Sequence, residues 1–303
     1  MDNFKDLIKI TKGTLLFEEP MKKHTSYGIG GPAEAYIIPK DSDDLVRILN
    51  YAKEKLLSVH FIGSGSNLLV SDDGIRGLVI SPKKSFKEIK FNENLVFAQS
   101  GAMLGSLVRK TTKRNLTGLE TLIGVPGTIG GALIMNAGAF GGEISNFLTS
   151  VSTIRMDGKL IKRQANQIDF SYRNSTFRKD EFILSATFEL AEASTEKINK
   201  KKEIASKGRK TNQPLKYRSA GSVFKNPKGD FSAGYLIEQV GLKGYKIGNA
   251  QISDHHANFF INHGDAKAEN IISLIEISKE KVFQKFKINL ELEVKTLGFS
   301  IED

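Results

Sequence analysis

Gly124-Val-Pro-Gly-Thr-Ile-Gly-Gly-Ala-Leu-Ile-Met-Asn-Ala-Gly-Ala-Phe-Gly-Gly-Glu-Ile144 holds seven glycines, yet it is not low in complexity. Apolar residues and one amide, Asn136, are interleaved at irregular spacing. Ordering glycine costs more backbone entropy than ordering any other residue, so a glycine cluster in a folded domain needs a cause. One cause is a backbone that must approach a flat or charged partner, such as a planar ring or a diphosphate held on N–H groups. The other is a turn region that only packs tightly. Taken alone, the stretch is open to both.

A second cluster lies upstream. Val59-His-Phe-Ile62 reads as a short buried strand, running into Gly63-Ser-Gly-Ser-Asn67 and then Leu68-Leu-Val70. Gly63 and Gly65 free the backbone, while Ser64, Ser66 and Asn67 add short polar donors, the composition of an anion-cradling loop. It is not a Rossmann fingerprint, because Leu68 stands where the third glycine belongs and Asp72-Asp-Gly74 interrupts any long helix. Nor is it a P-loop, since no Gly-Lys-Ser/Thr triplet follows. The two clusters together predict one large nucleotide cofactor held at two places.

At this point the chain resembles a known family. Thr25-Ser-Tyr-Gly-Ile-Gly-Gly-Pro-Ala33, Gly63-Ser-Gly-Ser-Asn-Leu68, Gly124-Val-Pro-Gly-Thr-Ile-Gly-Gly-Ala132 and Met135-Asn-Ala-Gly-Ala139 are similar to segments of the UDP-N-acetylenolpyruvoylglucosamine reductases. Ser171-Tyr-Arg173, Ala220-Gly-Ser-Val-Phe-Lys-Asn-Pro227 and Leu292-Glu-Val294 follow in the same order, so the likeness runs from about Thr25 to Gly298. It implies an α+β protein. Residues 1–190 would form a two-subdomain FAD-binding domain of the vanillyl-alcohol-oxidase (PCMH) type, 191–208 a helical linker, and 209–303 a smaller α+β substrate-binding domain. It also implies non-covalent FAD, NADPH as co-substrate, and reduction of UDP-N-acetylglucosamine enolpyruvate to UDP-N-acetylmuramate for peptidoglycan. The FAD contacts it implies are Gly63, Ser64, Gly65, Ser66, Asn67 and Leu68 in the first cluster. In the second they are Gly124, Val125, Pro126, Gly127, Thr128, Gly130, Gly131, Asn136, Ala137, Gly138, Gly141 and Ile144.

Such a reaction leaves negative charge on the carbon beside a carboxylate, so it calls for a cationic clamp and a proton donor. Arg173 is the candidate clamp, because a guanidinium grips a carboxylate through two parallel hydrogen bonds. Ser222 is the candidate proton donor, and Lys225 and the clamp arginine could supply the positive field it needs. No Gly-x-Ser-x-Gly elbow surrounds it, which disfavours a hydrolase. Leu290, Leu292 and Val294 alternate with Glu291 and Glu293, which predicts a strand with both acids on one face. The resemblance assigns the catalytic acid to Glu293 and substrate contacts to Tyr172, Lys225 and Asn226. Two positions depart from the family pattern, Arg218 in place of a proline and Lys295 in place of an arginine. The short spacing from Arg173 to Ser222 resembles the family's shorter form, which lacks an inserted segment whose tyrosine covers the substrate. Two alternatives are a flavin oxidase on the same FAD-binding fold and a non-catalytic nucleotide-binding protein. The absence of cysteine, and of histidine within 63–68, disfavours a covalently attached flavin.

The composition agrees with this reading. The 303 residues suffice for two or three domains, and 40% hydrophobic with 26% charged content is that of a globular protein. Zero cysteines exclude disulfides and thiolate metal sites, and the five histidines show no metal-binding spacing, so no metal is expected. No run of 18 apolar residues occurs and Met1-Asp-Asn-Phe-Lys-Asp is polar, so a cytoplasmic protein off the membrane is expected, with a monomer favoured. The net charge of +10 concentrates between Lys197 and Arg218. It reads as a solvated lysine-rich helix face or as a field for anionic ligands, and not as a nucleic-acid surface, because aromatics are not interleaved.

Coarse periodicity predicts a helix over 43–55 capped by Ser42, strands at 35–38, 78–80, 95–98 and 182–190, and a helix at 104–112. It also predicts a hairpin turning at Asp157-Gly158, a helix at 233–240, a strand at 257–261, a helix at 267–285 and a last strand at 290–297.

Overall fold

Asp41 starts the first long helix. In this computed structural model, which describes residues 4 and 6–299, the helix Ser42–Glu54 is capped by the Asp41 carboxylate, which accepts from the Asp44 N–H at 2.9 Å. The expected cap, Ser42, is instead the first helical residue, because the longer acidic side chain one place earlier reaches that orphan N–H. Asp44 is fully buried and accepts from the backbone N–H groups of Lys12, Gly13 and Lys40 at 2.8, 2.8 and 2.9 Å. Leu45, Ile48, Leu49 and Ala52 form the buried stripe that periodicity predicts, packed with Ala35, Ile37, Leu78 and Ile80. The polar N-terminus read from Met1, Asp2, Asn3 and Lys5 lies outside the described residues.

The chain divides into two compact units. The first comprises Met1–Phe17, Ala35–Ser64 and Gly77–Gly208, and the second Glu18–Glu34, Gly65–Arg76 and Arg209–Asp303. The chain passes from the first unit to the second between Gly208 and Arg209 and, unlike the contiguous division expected, two N-terminal segments group with the C-terminal one. Three strands, Thr14–Pro20, Pro32–Ile38 and Ile75–Ile80, carry the chain across the boundary. A composition shift cannot reveal a boundary that falls inside a strand.

The first unit contains two α+β layers. One is the helix Ser42–Glu54 on a sheet ordered Thr14–Pro20, Pro32–Ile38, Ile75–Ile80, Val59–Phe61. The strand Val59–Phe61 is half-buried throughout, not buried as expected. The other layer is a five-stranded antiparallel sheet ordered Leu160–Gln164, Leu148–Arg155, Glu181–Glu189, Leu95–Gln99, Ile89–Asn92. The helix Leu104–Thr112, at its expected bounds, buries Leu104, Leu107 and Val108 in that layer's core. The 191–208 linker is not helical throughout. Ala191–Glu192 pairs with Leu116–Thr117, and the helix Thr195–Asn212 follows. Lys201 anchors that helix to the buried Glu120 at 3.0 Å. Burial alone would raise the Glu120 pKa, but hydrogen bonds from the Thr117 hydroxyl, the Gly118 N–H and Lys201 outweigh it and hold the carboxyl below its usual range.

The second unit packs the helices Ala233–Gln239 and Ala268–Phe286 with the small sheet Lys246–Ile247, Ala250–Ile252, Phe260–Asn262 around one core. Tyr27 and Ile29, from the Thr25–Ala33 motif, are buried in that core, and Asn262 Nδ2 donates to the Tyr27 carbonyl at 2.9 Å. The expected strand at 257–261 is shifted to Phe260–Asn262. The last strand is broken: only Lys295–Leu297 pairs, parallel to Leu68–Val70, and Leu292 makes a lone bridge to Phe224. Burial lowers the pKa of His256 below the ordinary 6.5, and its Nδ1 accepts from the Asn258 N–H at 3.2 Å. Where the folded pKa is the lower one, the unfolded chain binds the extra proton. Stability is then complete above pH 6.5 and falls as pH drops below it. Thermal unfolding at about pH 7.5 and about pH 5.5 is expected to show this loss, and His256→Gln is expected to shrink the difference.

Candidate active site

Gly63, at the start of the upstream cluster, meets the downstream cluster within the first unit. A Cβ on Gly63 would lie 2.5 Å from Thr128 Oγ1, so only hydrogen fits there. Thr128 is buried and N-caps the short helix Ile129–Ile134, accepting from the Gly131 N–H at 3.4 Å. Other glycines are as closely packed. Gly130 donates to the Ser100 carbonyl at 2.9 Å, with its Cβ position 3.0 Å from Ser100 Cβ, and Gly142 abuts the Thr121 hydroxyl. These close approaches fit the tight-packing reading of the 124–144 stretch. The donor set around Gly63 and Thr128 suits an anionic dinucleotide such as FAD. Ser64 and Thr128 contribute hydroxyls there, and the sequence has no carboxylate in 63–68 or 124–131.

Arg173 occupies a two-residue turn between the paired strands Phe170–Ser171 and Asn174–Ser175, in the left-handed region at φ 55°. Its Nη2 donates to the Gly138 carbonyl at 3.0 Å, and its guanidinium lies 4.9 Å over the exposed Tyr172 ring. The turn is tied down by Asn136, fully buried at φ 41°, whose Nδ2 donates to the Ser171 carbonyl at 3.1 Å. The arginine thus belongs to the same local structure as the 136–144 segment.

The second unit gathers three other segments. The Glu293 N–H donates to the Val223 carbonyl at 2.8 Å, which sets Glu293 beside the residue that follows Ser222. Asn67 Nδ2 donates to the Glu293 carbonyl at 2.8 Å, and the Lys295 N–H donates to the Asn67 carbonyl at 3.0 Å. Ser222 and Glu293 are both half-buried. Glu291 is exposed and pairs with Lys225 Nζ at 3.3 Å, so the Lys225 ammonium is engaged there. Asn226 is exposed, and its Oδ1 accepts from the Ala233 N–H at 3.1 Å, at the start of a helix.

Two domain families match the chain. The FAD-binding domain model matches residues 33–163, and the C-terminal domain model of UDP-N-acetylenolpyruvoylglucosamine reductase matches residues 213–297. The chain is 42% identical over 290 residues to the UDP-N-acetylenolpyruvoylglucosamine reductase of Clostridioides difficile (strain 630), covering 95% of each. The chain belongs to the UDP-N-acetylenolpyruvoylglucosamine reductase family. The solved structure of the enzyme of that name from Thermus caldophilus superposes with a TM-score of 0.81 at 32% identity, covering 94% of this chain and 99% of that one. A glucose dehydrogenase, wild-type Phl p 4.0202, shares the fold at a TM-score of 0.50 and 15% identity, covering 64% of this chain and 45% of its own.

Within this reductase fold, residues outside the recognised motifs shape the site. Asn258 is buried beside the Ser222 segment, and its Oδ1 accepts from the Phe224 N–H at 2.9 Å while its Nδ2 donates to the Phe224 carbonyl at 2.8 Å. The amide takes the place of a strand partner. Its only sequence signal was a polar residue in the otherwise apolar run Ala257-Asn-Phe-Phe-Ile261. Asn258→Ala leaves a buried N–H and a buried carbonyl unpaired, and about 2–4 kcal/mol of stability should be lost in urea unfolding. Among the described residues, no cluster suited to a metal ion occurs, and no helix is long and apolar enough to cross a membrane.

Proposed function

We propose that this chain reduces UDP-N-acetylglucosamine enolpyruvate to UDP-N-acetylmuramate with NADPH as hydride donor, in the cytoplasm, as a step of peptidoglycan precursor synthesis. The observation that carries the reading is the second-unit cluster. The Glu293 N–H on the Val223 carbonyl and the Asn67 amide on the Glu293 carbonyl draw the candidate acid, the candidate proton donor and the cofactor loop together from three distant segments. FAD, held non-covalently by residues around Gly63 and Thr128, supplies hydride chemistry between the nicotinamide and the terminal carbon of the enolpyruvyl group. Arg173 grips the substrate carboxylate as charge develops beside it. Ser222 gives its hydroxyl proton to the carbon that bears the carboxylate, and the Glu293 carboxyl assists that transfer. Tyr172, Lys225 and Asn226 bind the remainder of the substrate.

The test has two parts. Acid denaturation should release a yellow flavin into solution. NADPH oxidation should depend on the enolpyruvyl sugar and yield one UDP-N-acetylmuramate per NADPH consumed. Flavin that stays with the chain, or consumption that ignores the sugar, would count against the reading.

A further inference from the structure

We propose that Glu143 is a positioning residue for Arg173, acting through Asn136 and the glycine that separates the two charged side chains. The proposal rests on the reading of Arg173 as the carboxylate clamp. Glu143 stands directly opposite Gly138 in the small hairpin that pairs Gly138–Ala139 with Gly142–Glu143. The hairpin reverses at Phe140 and Gly141, both at positive φ, 50° and 81°. A Cβ on Gly138 would lie 2.9 Å from Glu143 Cγ and 3.3 Å from Arg173 Nη1. The acid and the guanidinium therefore flank one glycine, and any side chain there would push them apart.

Asn136 completes the arrangement. Its single Nδ2 donates to Glu143 Oε2 at 2.7 Å and to the Ser171 carbonyl at 3.1 Å. Both partners are acceptors, which fixes the amide orientation. Ser171 precedes the turn that presents Arg173, while the Gly138 carbonyl, opposite Glu143, accepts from Arg173 Nη2. One buried amide thus locks Glu143 to the backbone of the arginine's turn. Removing the Glu143 carboxyl frees one end of this bracket, so the turn and the guanidinium lose their fixed placement. Hydrogen-bond registration of this kind matters because a displacement of about 1 Å in a clamp can cost about 100-fold in rate.

The experiment uses the FAD-loaded full chain and stopped-flow flavin absorbance. Glu143→Ala should slow the step driven by the enolpyruvyl sugar by about 10–100-fold. Flavin bleaching by NADPH should stay within about two-fold of the parent. Glu143→Gln, which keeps an acceptor for Asn136, should recover most of the rate. In the Arg173→Ala background, Glu143→Ala should add almost nothing, because a residue that acts through the arginine has nothing left to position. If Glu143→Ala loses FAD, Glu143→Asp takes its place, with about ten-fold slowing and the same lack of effect in the Arg173→Ala background. An additive effect in the double variant, or a parental rate for the single variant, overturns the proposal while the clamp reading stands. If Arg173→Ala itself turns over at the parent rate, the clamp reading fails and this proposal with it.

Discussion

Arg173→Ala is expected to leave FAD bound and to cut turnover by about a thousand-fold or more. A single lost donor at a site of developing negative charge costs about 10²–10³, and the guanidinium offers two. The substitution does not alter the strain of the turn, since alanine carries the same Cβ as arginine at φ 55°. Loss of the Gly138 contact is local, because Asn136 still holds the turn through the Ser171 carbonyl. Arg173→Lys keeps the charge but loses the planar fork and should recover only part of the rate. Steady-state kinetics with flavin content measured in parallel checks this. An unchanged rate at full flavin occupancy would remove Arg173 from the site.

Ser222→Ala should separate two events that the parent enzyme couples. Bleaching of the flavin by NADPH needs no proton from this serine, so it should stay near the parental rate. With Ser222 as the proposed donor, completion of the enolpyruvyl reduction should slow by about 10²–10⁴-fold, the scale for a lost positioned acid. The hydroxyl sits on a backbone already fixed by the Val223 carbonyl's bond to the Glu293 N–H and by the Asn258 amide on Phe224, so the variant should fold normally. The Lys225 ammonium, close in sequence to Ser222, pairs with the exposed Glu291 carboxylate at 3.3 Å. Stopped-flow absorbance resolves the two events. Equal slowing of both would indicate a damaged flavin site and argue against the proton-donor role.

Much of the fold was legible because its elements are amphipathic over their whole length. The helix Leu104–Thr112 and the hairpin at Asp157-Gly158 carry their period or their turn residues locally, and their placement needed nothing distant. The errors came where a distant partner decides. The Asp41 cap competes with Ser42 within one turn, and the outcome depends on which side chain reaches the Asp44 N–H. The segment 290–297 alternates like a strand but finds a ladder partner only at Lys295–Leu297, because Leu68–Val70 is short. The motifs named the candidate residues from resemblance. The contacts that organise them, Gly63 on Thr128, Asn136 between Glu143 and Ser171, and Asn258 on Phe224, join segments with no shared pattern in sequence.

The most direct measurement is an anaerobic two-step titration of the parent protein followed at the flavin band. One equivalent of NADPH should bleach the yellow colour. One equivalent of UDP-N-acetylglucosamine enolpyruvate, added without oxygen, should then restore it with formation of one UDP-N-acetylmuramate. A protein that stays bleached with the sugar and regains its colour only when oxygen is admitted would contradict the account and mark the chain as an oxidase.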